Sequence, residues 1–242
     1  MEMHFQLALS LGVVFIAGLL RGFTGFGAVM MIVPAFALFD DVRAAVPIGL
    51  FMDLVAGLLL LPRIRRHICC SLILPMGILA LATIPLGVGL LAWLDPDLSR
   101  RMIAVLVMLF AVVLAAGWRY RGPITRATSA AAGAIVGLLV GWTGMGGPPA
   151  VAFVLSTNLD AGAARASLTG LFLATTSFAL LNLAMQGMIG PDILLRAATL
   201  APAFMAGTWI GGVLFDPQRE SLYRLVTLSS LATVSIAVLI GG

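Results

Sequence analysis

The chain of 242 residues contains no lysine. All fourteen of its basic residues are arginine, set against ten acids, so the isoelectric point of about 10.0 comes from a few charges rather than from a basic face. A nucleic-acid partner needs basic residues clustered on one side, and no such cluster is present. Cysteine is as scarce: Cys69 and Cys70 are adjacent, and His4 and His67 are the only histidines, each at the edge of an apolar run. Without a second cysteine pair or a histidine cluster, no metal, redox or other cofactor site is expected, and the cysteines read as small apolar fillers. The chain also lacks a paired-aspartate constellation and a serine–histidine dyad, which argues against an enzyme working inside the membrane.

Charged residues make up only 10% of the chain, against 61% hydrophobic residues and a mean hydropathy of +1.13. A water-soluble domain of this size cannot hide so much apolar surface, so the expected class is an all-α polytopic membrane protein in a lipid bilayer. The opening MEMHFQLALS lacks the basic stretch and cleavage site of a signal peptide, and the first apolar run is expected to stay in the mature protein. No soluble domain, low-complexity tail or long linker interrupts the apolar runs.

Full spans are expected at 46–62, 68–94, 102–118, 166–186, 193–215 and 222–240. Polar turns are expected at 40–43, 95–101 and 158–165. Pro75 and Pro85 suggest a tilt or kink in the second span, and Trp93 stands at its end, where an indole suits the membrane interface. Two further runs are broken by glycine. Residues 7–20 and 28–39 flank GFTGFGA at 22–28, and residues 130–140 and 150–155 flank GWTGMGGPP at 141–149. Each piece of the first run reaches only about 20 Å as a helix, short of the roughly 30 Å hydrocarbon core. The pieces are therefore either two parts of one broken helix or the legs of a re-entrant hairpin.

The two breaks are copies of one another. At an offset of 119, Gly18, Gly22, Phe23, Thr24, Gly25 and Gly27 fall on Gly137, Gly141, Trp142, Thr143, Gly144 and Gly146. At 121, Gly49-Leu50-Phe51 falls on Gly170-Leu171-Phe172 and Asp95-Pro96 on Asp216-Pro217. The chain divides into two membrane repeats, 1–121 and 122–242, each with one broken segment and three full spans. Re-entrant breaks make the repeats inverted. Nine arginines (63, 65, 66, 119, 121, 126, 165, 219 and 224) then share one side, against four (43, 100, 101 and 196) on the other. Continuous spans give parallel repeats and seven against six. The positive-inside rule favours the inverted arrangement, with both termini outside.

Backbone that leaves the helix at membrane depth must line a cavity or pack on protein, and matched breaks in two halves are a pointer to a transporter's binding site. Helices restarting after Gly27 and Gly147 are expected to aim N–H groups and positive dipole ends inward, where they suit an anion. The competing reading takes Gly18-Gly22 and Gly137-Gly141 as close helix-packing contacts. The expected substrate-binding set is Arg21, Gly22, Thr24, Gly25, Gly27, Trp142, Thr143, Gly144, Gly146 and Gly147. Arg21 and Asp53 are the only charges well inside apolar segments, and Val140 and Ala174 hold the matching positions. Arg21 is a candidate counter-charge for the anion and Asp53 a candidate proton-coupling site. The alternative is that they pair with each other and serve only the fold. Thr175, Thr176 and Ser177 are expected to bond their own helix backbone.

Taken together, the length, the paired halves and the breaks at 22–34 and 141–149 resemble the TauE/SafE sulfite exporter family, also called the toluene sulfonate uptake permeases. The TGMGGPP of the second break is similar to the family's glycine-rich motif. The first break departs from it in holding Phe26 and Ala28 where glycine is usual. The resemblance implies a secondary transporter of sulfite, sulfonate or related small organic anions. It also implies the bacterial inner membrane as the location and an ion gradient, protons or another coupling ion, as the driving force. An anion channel is the alternative reading of the same parts, and whether the protein works as a homodimer is open.

Overall fold

The computed structural model describes residues 2–116 and 120–214. Within them nine α-helices follow one another with no strand: α1 (Glu2–Thr24), α2 (Ala28–Phe36), α3 (Val42–Ile64), α4 (Cys70–Trp93), α5 (Pro96–Ala115), α6 (Arg126–Thr143), α7 (Gly147–Val154), α8 (Ala161–Met185) and α9 (Pro191–Val213). Five stretches, Gln6–Thr24, Val42–Pro62, Cys70–Trp93, Gly162–Met185 and Pro191–Val213, are long and apolar enough to cross a membrane. The protein is an all-helical, multi-pass membrane protein. The expected span at 222–240, the Asp216-Pro217 match and Arg119, Arg219 and Arg224 lie outside the described residues.

Both breaks are narrower than the apolar pattern suggests. Helix α1 continues through Arg21 and ends only at Thr24, and α6 continues through Gly141 to Thr143. At 1.5 Å per residue α1 is about 35 Å long and α6 about 27 Å, so the first legs are not half-length pieces. A helix tolerates glycine where the missing side chain serves packing. It stops where φ turns positive, at Gly25 (83°), Gly27 (96°) and Gly144 (73°). The short pieces are α2, with all nine residues buried, and α7, with seven of eight buried. Helices apolar on every side belong in the middle of a bundle, and that is where both sit.

The polar segments turn out to be helix starts rather than turns. Asp41 caps α3 by accepting from Arg43 N at 2.8 Å, Asp160 caps α8 through Ala163 N at 2.9 Å, and Asp95 accepts from Asp97 N at 3.0 Å ahead of Pro96. An aspartate followed by a compatible first turn satisfies helix N–H groups that nothing else can, which extends each helix into the polar stretch. Trp93, at the C-terminal end of α4, is 88% exposed, the position expected of an interfacial indole.

Two glycine-lined pairs carry much of the packing. On α1, a side chain at Gly18 would overlap the Phe204 carbonyl of α9 and one at Gly22 the Thr208 carbonyl, while Gly207 and Gly211 of α9 meet Phe15 and Leu19 in return. The order rises together on both helices, so α1 and α9 run in the same direction. Gly133, Gly137 and Gly141 of α6 meet Met76, Ala80 and Ile84 of α4 in the same manner, and this pair is parallel too. In the middle α3 crosses α8: Asp53 bonds Thr176, Gly57 meets Leu173, and Cys69 N, just beyond α3, donates to Ser167 Oγ at 2.9 Å. Here one sequence rises while the other falls, so α3 and α8 are antiparallel. At one end of the bundle Arg43 Nη2 donates to the Ala92 and Leu94 carbonyls that finish α4, and Arg196 pairs with Asp40.

Candidate anion site at the two helix breaks

The breaks meet. A Cβ on Gly147 would lie 3.3 Å from Phe26 Cδ2, and one on Gly144 2.7 Å from Val29 Cγ1. Between them is a cavity of about 20 Å³, lined by Phe26, Gly27, Val29, Met30, Asp53, Gly144, Met145, Gly147 and Phe172. One water needs roughly 10–15 Å³ on this measure, so the cavity holds about one water and must widen for an oxyanion.

Thr24 and Thr143 stand at matching corners. Thr24 Oγ1 accepts from Phe26 N at 2.7 Å and donates to the Phe26 carbonyl, while Thr143 Oγ1 accepts from Met145 N at 3.1 Å and donates to Leu139 O at 2.9 Å. Both hydroxyls are engaged with backbone and shape the turn that ends each long helix. The helix starts that follow differ. Gly27 offers no side-chain cap to the first turn of α2, so Ala28, Val29 and Met30 present N–H groups there. In α7 the first turn reads Gly147, Pro148, Pro149, and the prolines carry no N–H.

Behind the cavity lies the buried charge pair. Arg21 is fully buried, and its Nε donates to Asp53 Oδ1 at 2.7 Å. Thr176 Oγ1 donates to Asp53 Oδ2 at 3.0 Å, and the Phe172 ring lies against the guanidinium with its centroid 5.8 Å from Cζ. Arg21 Nη1 and Nη2 are buried and have no hydrogen-bond partner among the described residues. Four N–H bonds of a buried cation without an acceptor among the described residues is a costly arrangement that calls for an explanation. Asp53 and Phe172, which both touch the guanidinium, line the cavity, while Arg21 itself lies behind them and does not.

The other expected residues divide by what their neighbours are. Gly27 faces open space, and Gly144 and Gly147 line the cavity. Gly25 packs on Arg165 and Thr169 of α8, and Gly22 lies in the α1–α9 contact with its carbonyl accepting from Arg165 Nη2. Gly146 has an ordinary φ of −83° and faces Val136 and Val140 of α6. Trp142 lines a separate apolar pocket of about 270 Å³ with Arg101, Met102, Val105 and Leu106. Sequence reasoning missed Thr176 and Phe172. Thr175 and Ser177 bond their own helix at Leu171 O (3.0 Å) and Leu173 O (2.7 Å), as expected of all three, but Thr176 faces α3. Phe172 carried a signal, since it sits in the repeated Gly-Leu-Phe.

Broken helices meet inside a multi-pass bundle beside a buried ion pair, an architecture that membrane transport proteins use. The chain belongs to the sulfite exporter TauE/SafE family, whose model matches residues 10–238, and with that family it is a membrane transporter. No curated protein and no solved structure matches it.

Proposed function

We propose that the protein is a secondary transporter of a small sulfur oxyanion or organic sulfonate, bound between the two breaks with Arg21 as its counter-charge. The observation that carries this reading is the buried guanidinium whose Nη1 and Nη2 have no partner among the described residues. Arginine's planar fork matches two oxygens of a sulfite or sulfonate, and charge-assisted bonds in a dry site are strong. The anion would displace the Phe172 ring to reach this edge, while Nε keeps Asp53. N–H groups of Ala28 to Met30 and the backbone at Gly144 and Gly147 complete the shell.

The antiparallel crossing of α3 and α8 at Asp53 and Thr176 supports two inverted repeats, 1–121 and 122–242. So does the exchange of partners, in which the first helix of each half lies on the fourth helix of the other. A pseudo-two-fold axis in the membrane plane interconverts inward and outward openings by exchanging the halves' conformations, which is what a carrier needs. Asp53 is the coupling candidate, since it shares Arg21 with any bound anion. The cavity's small volume favours a carrier, whose flux saturates, over an open anion pore. The membrane would be the bacterial inner membrane, with the arginine-rich loops inside.

The test is a binding screen of purified protein by calorimetry with sulfite, methanesulfonate, sulfate and acetate, on wild type and Arg21→Gln. Binding of a sulfur oxyanion that is lost in Arg21→Gln is the expected result. Equal affinity in a folded Arg21→Gln protein sinks the site.

A further inference from the structure

Arg21 and Asp53 are the only charged side chains buried among the described residues, and their charges cancel. Among the described residues, the groups facing Asp53 bring no other charge. From α1 comes Arg21, from α8 Thr176 and Phe172, and from α2 and the second break the apolar wall of the cavity. The next charge along α8 is Arg165, which is half-buried and engaged with the Gly22 carbonyl at the C-terminal end of α1, where the helix dipole is negative.

We infer that the site accepts singly charged anions only, and that each enters with one proton carried by Asp53, so the loaded site is neutral and transport is electroneutral. The inference rests on the anion-transport reading above and specifies its cargo: hydrogen sulfite or a sulfonate, not sulfite dianion or sulfate. With Asp53 ionised, Arg21 is already matched. A monoanion then leaves one uncompensated negative charge among phenylalanine, methionine and valine side chains, and a dianion leaves two, which a low-dielectric interior penalises heavily. Protonating Asp53 hands the Arg21 charge to the anion. The sum is zero for a monoanion and still minus one for a dianion. The protonated carboxyl keeps a partner, because Thr176 Oγ1, which donates to Oδ2 when Asp53 is ionised, accepts from it when Asp53 carries the proton. The proton is taken from water on the loading side and returned to water on the other, so the cycle moves one anion and one proton and no net charge.

The experiment uses the full chain in liposomes, with labelled methanesulfonate as the monoanion and sulfate as the dianion. A potassium–valinomycin clamp sets the membrane potential, and a trapped dye reads internal pH. Sulfate should compete at least about a hundredfold more weakly than unlabelled methanesulfonate. Methanesulfonate flux should be the same at either sign of potential, and the dye should report one proton per anion. Asp53→Asn, a neutral stand-in for the protonated acid, should bind methanesulfonate but move it without the proton, so its flux becomes driven by potential. Sulfate competing within a few-fold, or wild-type flux that follows the imposed potential, overturns the inference even if Asp53→Asn fails to fold. If neither anion binds at all, the transport reading itself falls, and this inference with it.

Discussion

The two breaks share a plan and differ in chemistry. Each ends a long helix on a threonine that bonds the turn's backbone, passes a glycine at positive φ, and restarts as a short buried helix. The first has two such glycines, three N–H groups at its restart, and Arg21 one turn before the end. The second has one, a proline pair in place of N–H groups, and Val140 where Arg21 would stand. The two breaks share the backbone plan and differ in carrying the charge on one side only. The proposed site would therefore combine matched backbone geometry with a single cation.

The comparison breaks most sharply at Arg21. Arg21→Gln should abolish measurable anion binding, at least about a hundredfold, and lower stability by about 3–5 kcal/mol because Asp53 is left buried without its partner. Adding Asp53→Asn should restore much of the thermal stability but none of the affinity. Next in size is a pair of alanine replacements. At Gly27, with φ of 96° and open space ahead, alanine should cost about 1–2 kcal/mol and also weaken binding by intruding on the cavity. At Gly146 the crowding falls on Val136 and Val140, so thermal unfolding should shift while calorimetric affinity holds.

Smaller effects probe the shared plan. Thr24→Val and Thr143→Val should each cost about 1 kcal/mol with little change in affinity, since both hydroxyls serve the turns. A large affinity loss in either would show that the hydroxyl turns to the substrate. Pro148→Ala returns one N–H to the second break and should tighten anion binding a few-fold, measurable by the same titration.

Much of this was legible in the sequence. The duplication located both breaks, and the scarcity of buried charge singled out Arg21 and Asp53, which the structure brings together at 2.7 Å. The roles of individual glycines were not legible, because they depend on what a missing side chain would have met. Gly22 meets a neighbouring helix backbone, Gly27 meets space and Gly146 meets valines of the preceding helix, and nothing local distinguishes them. Thr176 was hidden for a related reason. Three successive hydroxyl residues point about 100° apart around a helix, and only the packing of α3 against α8 says which one reaches Asp53. The polar stretches misled because aspartate beside a helix start resembles a loop until its acceptor role is seen.

The pairing of α1 with α9 also has a consequence for biogenesis. The glycine face of α1 finds its partner only when Phe204 and Thr208 have been made, nearly a whole chain later. At about 5–20 residues per second of synthesis, the first helix waits roughly ten to forty seconds in the membrane with that face uncovered. On the inverted-repeat reading proposed above, a lone half-length ancestor would have had to insert in both orientations and assemble as an antiparallel pair with exchanged first helices. Because both helices belong to one chain, α1 and its late partner α9 are always made in equal number.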